Sequence, residues 1–324
     1  MNRFTLNSIL SLFLFFSISS CNGVLDGETG SVASVQTSGA EGNLVIVGGG
    51  PRPLSIMNKI VELSPDSTMI IIPMASSIPD TVGFEQGEQF LGYGAKSIEV
   101  LMLTETDKTS EEIAEKIRTA GGIWFSGGDQ NRLMEYLGDG ILIDAIHDAY
   151  RNGAVISGTS AGAAVMSRVM ITGDESRPDE YRSFATIHQD NIVTTTGIGL
   201  VTNMIIDQHF VRRSRMNRLI SALLDHPEEY AAGIDEATAL WVKPNGEYEV
   251  LGESQVILMK DGVSQDGAPG DLHAASGMEF HVLSPGSTFC ILADNKLRWS
   301  WVSSHGDEII ATQFTNDSTK IMQF

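Results

Sequence analysis

Residues 154–166 read Ala-Val-Ile-Ser-Gly-Thr-Ser-Ala-Gly-Ala-Ala-Val-Met, an apolar run that passes through a glycine-flanked serine into small residues. The apolar start predicts a buried strand, and the alanines after the glycine predict a helix. Gly158, Ser160 and Gly162 have the G-x-S-x-G spacing of a nucleophile elbow, in which small neighbours let the serine Oγ project from the sheet. This strand, turn and helix context favours a nucleophilic serine over a structural turn. The amide of Ala161 would then face a developing oxyanion.

The chain upstream of this elbow alternates between two kinds of segment. Short apolar runs cover 44–47, 69–72, 98–103 and 123–125, and amphipathic stretches cover about 53–63, 82–92, 109–119 and 130–150. This alternation predicts an α/β fold with a parallel sheet and helices on both faces. Functional loops should follow the carboxyl ends of the strands and converge on one edge of the sheet.

The chain beyond about residue 240 is more β-like. Asn245-Gly246 and Asp261-Gly262 predict hairpin turns between several apolar runs. We see no internal repeat and no block of like charge. We therefore expect one serine-elbow α/β domain over 42–283, with a β-rich extension over 284–324 packed on it.

Composition excludes several classes of function. The 324 residues include 21 Lys+Arg and 41 Asp+Glu, a net charge of −20, which disfavours a nucleic-acid partner. A hydrophobic content of 42% is enough to form a core and excludes disorder over most of the chain. Two cysteines and seven histidines without metal-ligand spacing predict no metal and no cofactor.

The amino terminus has the pattern of an export signal. Residues 1–20 contain an apolar run of about ten residues, typical of a signal peptide and too short to span a bilayer. Ile18-Ser-Ser-Cys21 resembles a bacterial lipobox, with a plain secretory signal as the alternative. We expect a lipidated Cys21, a flexible tether over 21–41 and a membrane lipoprotein facing the periplasm or the cell exterior. Lipidation of Cys21 would leave Cys290 as a lone thiol.

A serine nucleophile needs a base, and two histidines are candidates. His209 follows an apolar run at the expected carboxyl end of a strand, whereas His188 lies in a polar segment over 172–196. Either Asp235 or Glu236, which follow another short strand, could orient the histidine. Gly128 also follows a strand, and its amide could complete an oxyanion hole.

Four arginines lie beside His209: Arg212, Arg213, Arg215 and Arg218. One interpretation is a solvated helix face, and a second is a phosphate or nucleic-acid patch, which the charge total disfavours. The third is recognition of substrate carboxylates by guanidinium groups. Proximity to His209 favours the third.

Five motifs in order between about 43 and 262 carry a family resemblance: Gly48-Gly-Gly50, Gly127-Gly-Asp-Gln130, Gly158-Thr-Ser-Ala-Gly-Ala163, Asp207-Gln-His-Phe210 with its following arginines, and Gly233-Ile-Asp-Glu-Ala-Thr-Ala239. Together they resemble the cyanophycinases, serine peptidases whose family also includes aspartyl dipeptidase. The resemblance implies a class I glutamine amidotransferase-like (flavodoxin-like) fold and a catalytic triad of Ser160, His209 and Glu236. It also implies a substrate pocket lined by Gln130, Asp207, Gln208, Arg213, Arg215 and Arg218.

The resemblance further implies an activity. Cyanophycinases hydrolyse cyanophycin, a polyaspartate that carries arginine on its β-carboxyls, to β-Asp-Arg dipeptides. The arginines of this chain would hold substrate carboxylates, while an acidic surround would suit the guanidinium groups of the substrate. Action on other Asp-rich or isoaspartyl peptides, or binding without catalysis, are the alternatives. A homodimer is also implied.

Overall fold

The computed structural model describes residues 39–64, 67–180, 185–264, 271–293, 296–302 and 308–312. The strands of the first half are β1 (Asn43–Val47), β2 (Thr68–Ile72), β3 (Ser97–Val100), β4 (Gly122–Phe125), β5 (Val155–Thr159), β6 (Val169–Glu175), β7 (Ile192–Thr196) and β8 (Met204–Gln208). Those of the second half are β9 (Tyr230–Ile234), β10 (Thr238–Val242), β11 (Glu247–Gly252), β12 (Val256–Lys260), β13 (Val263–Ser264), β14 (Ala275–Ser276), β15 (Glu279–Leu283), β16 (Thr288–Ile291), β17 (Leu297–Val302) and β18 (Glu308–Thr312). The helices are α1 (Leu54–Glu62), α2 (Pro79–Gly92), α3 (Glu111–Arg118), α4 (Gln130–Leu137), α5 (Ile141–Arg151), α6 (Ala161–Ala164) and α7 (Met216–Asp225), with a 3₁₀ turn over Asp107–Thr109.

The main sheet is half parallel and half antiparallel. Its order is β18-β17-β16-β11-β10-β1-β5-β4-β2-β3. The strands from β1 to β3 in this order pair in parallel, and those from β18 to β1 pair antiparallel. The α/β prediction is therefore confirmed, but the parallel arrangement covers five strands, after which the short connections of the β-like tail produce antiparallel pairs.

Both faces of the parallel half are covered. Leu44 and Ile46 of β1 pack into a core shared with α3, α4 and α5, while Val45 and Val47 pack into a second core shared with α1 and α2. Because alternate side chains point to opposite faces, a strand covered on both sides must be apolar throughout. This explains the continuous apolar runs of the sequence.

A second sheet, with the order β15-β12-β9-β8, was not predicted. In it β8 and β9 run parallel, joined by the crossover helix α7, and every residue of both strands is buried. α7 packs Leu219 and Leu223 against Phe210 and Ile205. The carboxyl ends of β8 and β9 therefore lie side by side, with His209 and Glu236 just beyond them.

Two local predictions were wrong. Asn245-Gly246 does turn the β10–β11 hairpin, but Asp261-Gly262 does not turn one, because β12 pairs with β9 and β15 while β13 pairs with β14. The helix predicted over 130–150 is two helices, α4 and α5. Gly138, with φ of 66°, ends the first one.

The structure describes one of the two cysteines, Cys290. Cys290 is buried on β16, and the prediction that lipidation leaves it as a lone thiol depends on Cys21, which lies outside the described residues. The signal peptide, Cys21 and most of the tether lie outside the described residues. Of the helices in the described ranges, none combines the length and apolar character needed to cross a bilayer.

Candidate active site

Ser160 lies at the sharp turn between β5 and α6. Its backbone has φ of 56° and ψ of −112°, a strained conformation for a residue with a side chain. Its amide donates to Val47 O at 3.0 Å, and its carbonyl accepts from Ala163 and Ala164. A Cβ on Gly158 would lie 2.5 Å from Gly162 O, so the flanking glycine is required by space. The predicted elbow is thus present as a strand, turn and short helix.

Ser160, His209 and Glu236 form a hydrogen-bonded chain. The Oγ of Ser160 lies 2.9 Å from His209 Nε2, and His209 Nδ1 lies 2.7 Å from Glu236 Oε1. A carboxylate accepts and does not donate, so the proton of a neutral His209 lies on Nδ1 and Nε2 accepts from the serine. His188 instead forms a β-bridge with Leu272. Of the two candidate histidines, His209 is therefore the one within hydrogen-bond distance of the Ser160 Oγ.

The adjacent carboxylates Asp235 and Glu236, both candidates from the sequence, point to different partners. Asp235 is buried, and its Oδ1 accepts from the amide of Arg212 at 2.8 Å while its Oδ2 accepts from Ser254 Oγ at 2.8 Å. Asp235 therefore holds the loop after His209, and Glu236 is the carboxylate in contact with the imidazole.

The Gly48–Gly50 loop after β1 lies behind this chain. Gly48 O accepts from the amide of His209 at 2.7 Å, and Gly49 O accepts from the amide of Ala237 at 3.0 Å. A Cβ on Gly49 (φ 107°) would overlap the imidazole of His209, and one on Gly50 (φ 66°) would lie 2.7 Å from Glu236 Oε2. The loop can support both side chains because it has none of its own.

Gly128 and Ala161, whose amides are predicted to form an oxyanion hole, are both near Ser160 in the chain or the cavity: Ala161 directly follows the serine, and Gly128 lines the same cavity. Gly127 brings its backbone to the serine, since a Cβ there would be 3.3 Å from Ser160 Cβ. Among the described residues, neither the Gly128 amide nor the Ala161 amide donates a hydrogen bond within the protein. Both N–H groups are therefore available to a ligand.

The surroundings of His209 favour the neutral form of its imidazole. Burial lowers its pKa from the usual 6.5, the hydrogen bond to Glu236 opposes this, and the positive charges of Arg213 and Arg215 lower it further. The net direction is downward. At neutral pH the imidazole is therefore unprotonated at Nε2 and can accept a proton from Ser160.

Ser160 opens onto a polar cavity of about 270 Å³. The lining residues are Gly128, Asp129, Gln130, Asn131, Ser160, Thr172, Gly173, Asp174, Gln208, Arg213, Arg215 and Arg218. A larger cavity of about 520 Å³ opens near Leu44 and Val242, beside the amino end of β1. The larger one contains none of the predicted site residues.

The arginine cluster divides into two pairs. Arg212 and Arg213 are exposed, and Arg213 lines the cavity while Arg212 does not. Arg215 donates to Gln208 O at 2.7 Å and to Gln208 Oε1, and burial lowers its pKa to about 10. Arg218 is buried in a two-point ion pair with Asp207.

Two residues of the predicted substrate pocket have other contacts. Asp207 is fully buried against Arg218 and does not line the cavity, so it acts by fixing that arginine. Gln130 lines the cavity, but its Nε2 donates to Ile171 O at 3.0 Å and Thr172 O at 2.6 Å. Its amide nitrogen therefore holds the end of β6, and its oxygen is the atom left for a ligand.

The sequence analysis did not predict that the end of β6 lines the cavity. Thr172, Gly173 and Asp174 line the cavity, although they fall in a stretch that looked like a polar loop. A signal was present, because Val169-Met-Ile171 before them is apolar and predicts a strand entering this region. Within the described residues, no group of three or more His, Cys, Asp or Glu side chains is arranged to hold a metal ion.

Comparison with known proteins identifies the family. The family model described as "Peptidase family S51" matches residues 31–249. The chain is 31% identical over 245 residues to the cyanophycinase of Synechococcus elongatus, and the match covers 74% of each protein. It is 37% identical over 191 residues to the cyanophycinase of Trichormus variabilis, and that match covers 58% of this chain and 62% of the relative. In fold it is similar to a crystal structure of a peptidase from an acI-B1 Actinobacterium, with a TM-score of 0.55 and 24% identity over 76% of this chain and 98% of that one. The chain belongs to peptidase family S51 and is a cyanophycinase-like serine-type peptidase.

Proposed function

We propose that this peptidase hydrolyses the aspartyl backbone of cyanophycin to β-Asp-Arg dipeptides as an exopeptidase with a Ser160-His209-Glu236 triad. The observation that carries the proposal is the unbroken hydrogen-bonded chain from Ser160 through His209 to Glu236 at the edge of an arginine-lined cavity. The relatives named cyanophycinase support the choice of substrate.

In the acylation step Ser160 Oγ attacks the scissile carbonyl carbon while its proton passes to His209 Nε2. Glu236 accepts the hydrogen bond from Nδ1 and stabilises the imidazolium that forms. The carbonyl oxygen becomes an oxyanion, which the amides of Gly128 and Ala161 would hold. His209 then gives its proton to the leaving amine, the C–N bond breaks, and an ester joins Ser160 to the substrate.

Deacylation repeats these steps with water. His209 Nε2 takes a proton from water, the resulting hydroxide attacks the ester carbonyl, and the same proton returns to Ser160 Oγ as the C–O bond breaks. The products are a free carboxylic acid and the original enzyme.

The guanidinium groups of Arg213, Arg215 and Arg218 would hold carboxylates of the substrate. Arg213 is the exposed member and can reach an incoming chain, while Arg215 and Arg218 are fixed by Gln208 and Asp207. Fixed guanidinium groups lose little entropy when they bind a carboxylate. Gln208, Gln130 and Asp207 would act in the same pocket, Asp207 through Arg218.

The test is a comparison of substrates. The purified chain from residue 22 onward should release dipeptides from cyanophycin faster than it cleaves α-Asp-X or isoaspartyl dipeptides. The Ser160→Ala variant provides the background rate. Faster cleavage of the small dipeptides would instead make the enzyme an aspartyl or isoaspartyl dipeptidase, and binding without turnover by the wild type would make it a binding protein.

We also propose export and lipidation at Cys21, supported by the signal-like residues 1–20 and the lipobox-like Ser-Ser-Cys. Lipidation would take up the thiol of Cys21, which would then be closed to a disulfide with Cys290. Intact mass spectrometry of the membrane fraction tests the lipid anchor. Added mass of acyl chains supports the anchor, and an unacylated mass contradicts it.

Light scattering tests the homodimer implied by the family.

A further inference from the structure

The cavity beside Ser160 is lined by two groups of side chains with opposite charge. The basic wall consists of Gln208, Arg213, Arg215 and Arg218, which come from the end of β8, the loop after it and the start of α7. The acidic wall consists of Asp129, Asn131, Thr172 and Asp174, which come from the start of α4 and the end of β6. The proposed function uses the basic wall and leaves the acidic one unexplained.

The two carboxylates of the acidic wall differ in their partners. Asp129 caps α4, since its Oδ1 accepts from the amides of Asn131 at 2.8 Å and Arg132 at 3.4 Å. Asp174 is exposed, and in the described part of the chain its carboxylate accepts one long hydrogen bond, 3.4 Å from Asn131 Nδ2. Asp174 therefore has lone pairs to offer a cationic ligand in the cavity.

The backbone that carries Asp174 is held in place. Gln130 Nε2 donates to the carbonyls of Ile171 and Thr172, and the Asp174 amide donates to Thr172 Oγ1 at 3.1 Å. α4 thus fixes the end of β6. A carboxylate on a fixed backbone loses less entropy on binding than one on a free loop.

The side chain of cyanophycin has charges that match both walls. Arginine attached through its α-amino group to an aspartate β-carboxyl keeps a free α-carboxylate and a free guanidinium. We propose that Asp174 is a specificity residue that binds this guanidinium while the basic wall binds the carboxylate, an inference that rests on the proposed function. A carboxylate and a guanidinium form paired, charge-assisted hydrogen bonds, which neutral side chains cannot replace.

The test compares two synthetic oligomers that differ in one group. One is a short polyaspartate carrying arginine, and the other carries citrulline, a neutral urea of the same shape. The wild type should prefer the arginine oligomer in kcat/KM by about tenfold. Asp174→Asn should abolish this preference by raising KM for the arginine oligomer, and Asp174→Glu should restore part of it. Asp179→Asn, an exposed aspartate before β7 and outside the cavity, is the matched control and should keep the full preference.

Each outcome has one meaning. Retention of the wild-type preference by Asp174→Asn, or equal cleavage of both oligomers by the wild type, overturns the role of Asp174 and leaves the proposed function standing. Cleavage of neither oligomer by the wild type overturns the proposed function, and the role of Asp174 with it.

Discussion

Adjacent residues at this site differ in function because of where their side chains point. Asp235 and Glu236 follow the same strand, yet one holds the amide of Arg212 and the other holds His209 Nδ1. We expect Glu236→Gln to lower kcat by about 10³–10⁴, because a neutral amide cannot stabilise the imidazolium. Steady-state hydrolysis measures it, with the exposed Glu253→Gln as the control. A wild-type rate in Glu236→Gln would refute the assignment.

The lowered pKa of His209 sets the pH dependence. Histidine is neutral above its pKa, so the lowered pKa keeps the imidazole mainly neutral at pH 6.5, and the midpoint of the kcat/KM profile should lie below that pH. Arg213→Gln removes a positive charge that disfavours the imidazolium, so the midpoint of the pH profile should move upward. A pH profile measured at constant ionic strength checks both statements. A midpoint above 6.5 in the wild type would contradict them.

At the scale of elements, the site depends on the Gly48–Gly50 loop, which joins β1 to α1. Gly49→Ala places a methyl group where the imidazole of His209 lies, so activity should fall at least a hundredfold, the size of a misplaced catalytic group. Gly94→Ala is the matched control, since Gly94 has a similar φ of 104° but no atom within 4 Å of the added Cβ. Equal activity in the two variants would show that the Gly48–Gly50 loop does not position His209.

The elements also show what the sequence could predict. Ser160 and His209 were recognisable because each follows an apolar run that is buried on both faces. The second sheet was not, because the apolar runs of β8 and β9 look like those of the main sheet, and their partners lie beyond residue 250. Asp174 was missed since the apolar part of β6 is short, and the choice between Asp235 and Glu236 depends on a turn conformation that composition does not encode.

At the scale of the whole molecule, the first strand of the main sheet begins at the end of the sheet opposite the site. Asn43 begins β1 beside Ala154, at the amino end of the parallel strands, whereas Ser160, His209 and Glu236 follow carboxyl ends. A lipid anchor on Cys21 would join the domain at this end through the proposed flexible tether, which leaves the cavity open to a soluble substrate. We expect the vesicle-bound lipoprotein and a soluble form from residue 22 to hydrolyse cyanophycin with kcat/KM within about threefold of each other. A much slower vesicle-bound form would contradict free access of the substrate to the cavity.

The central claim is that Ser160 and His209 act as one catalytic unit, and the kinetics of a double variant test it most directly. Ser160→Ala and His209→Ala should each lower kcat for cyanophycin by several orders of magnitude. The double variant should be no slower than the slower single variant within about threefold, because removing the second member of a broken unit costs little more. Additive losses in the double variant, or substantial turnover by Ser160→Ala, would contradict the account.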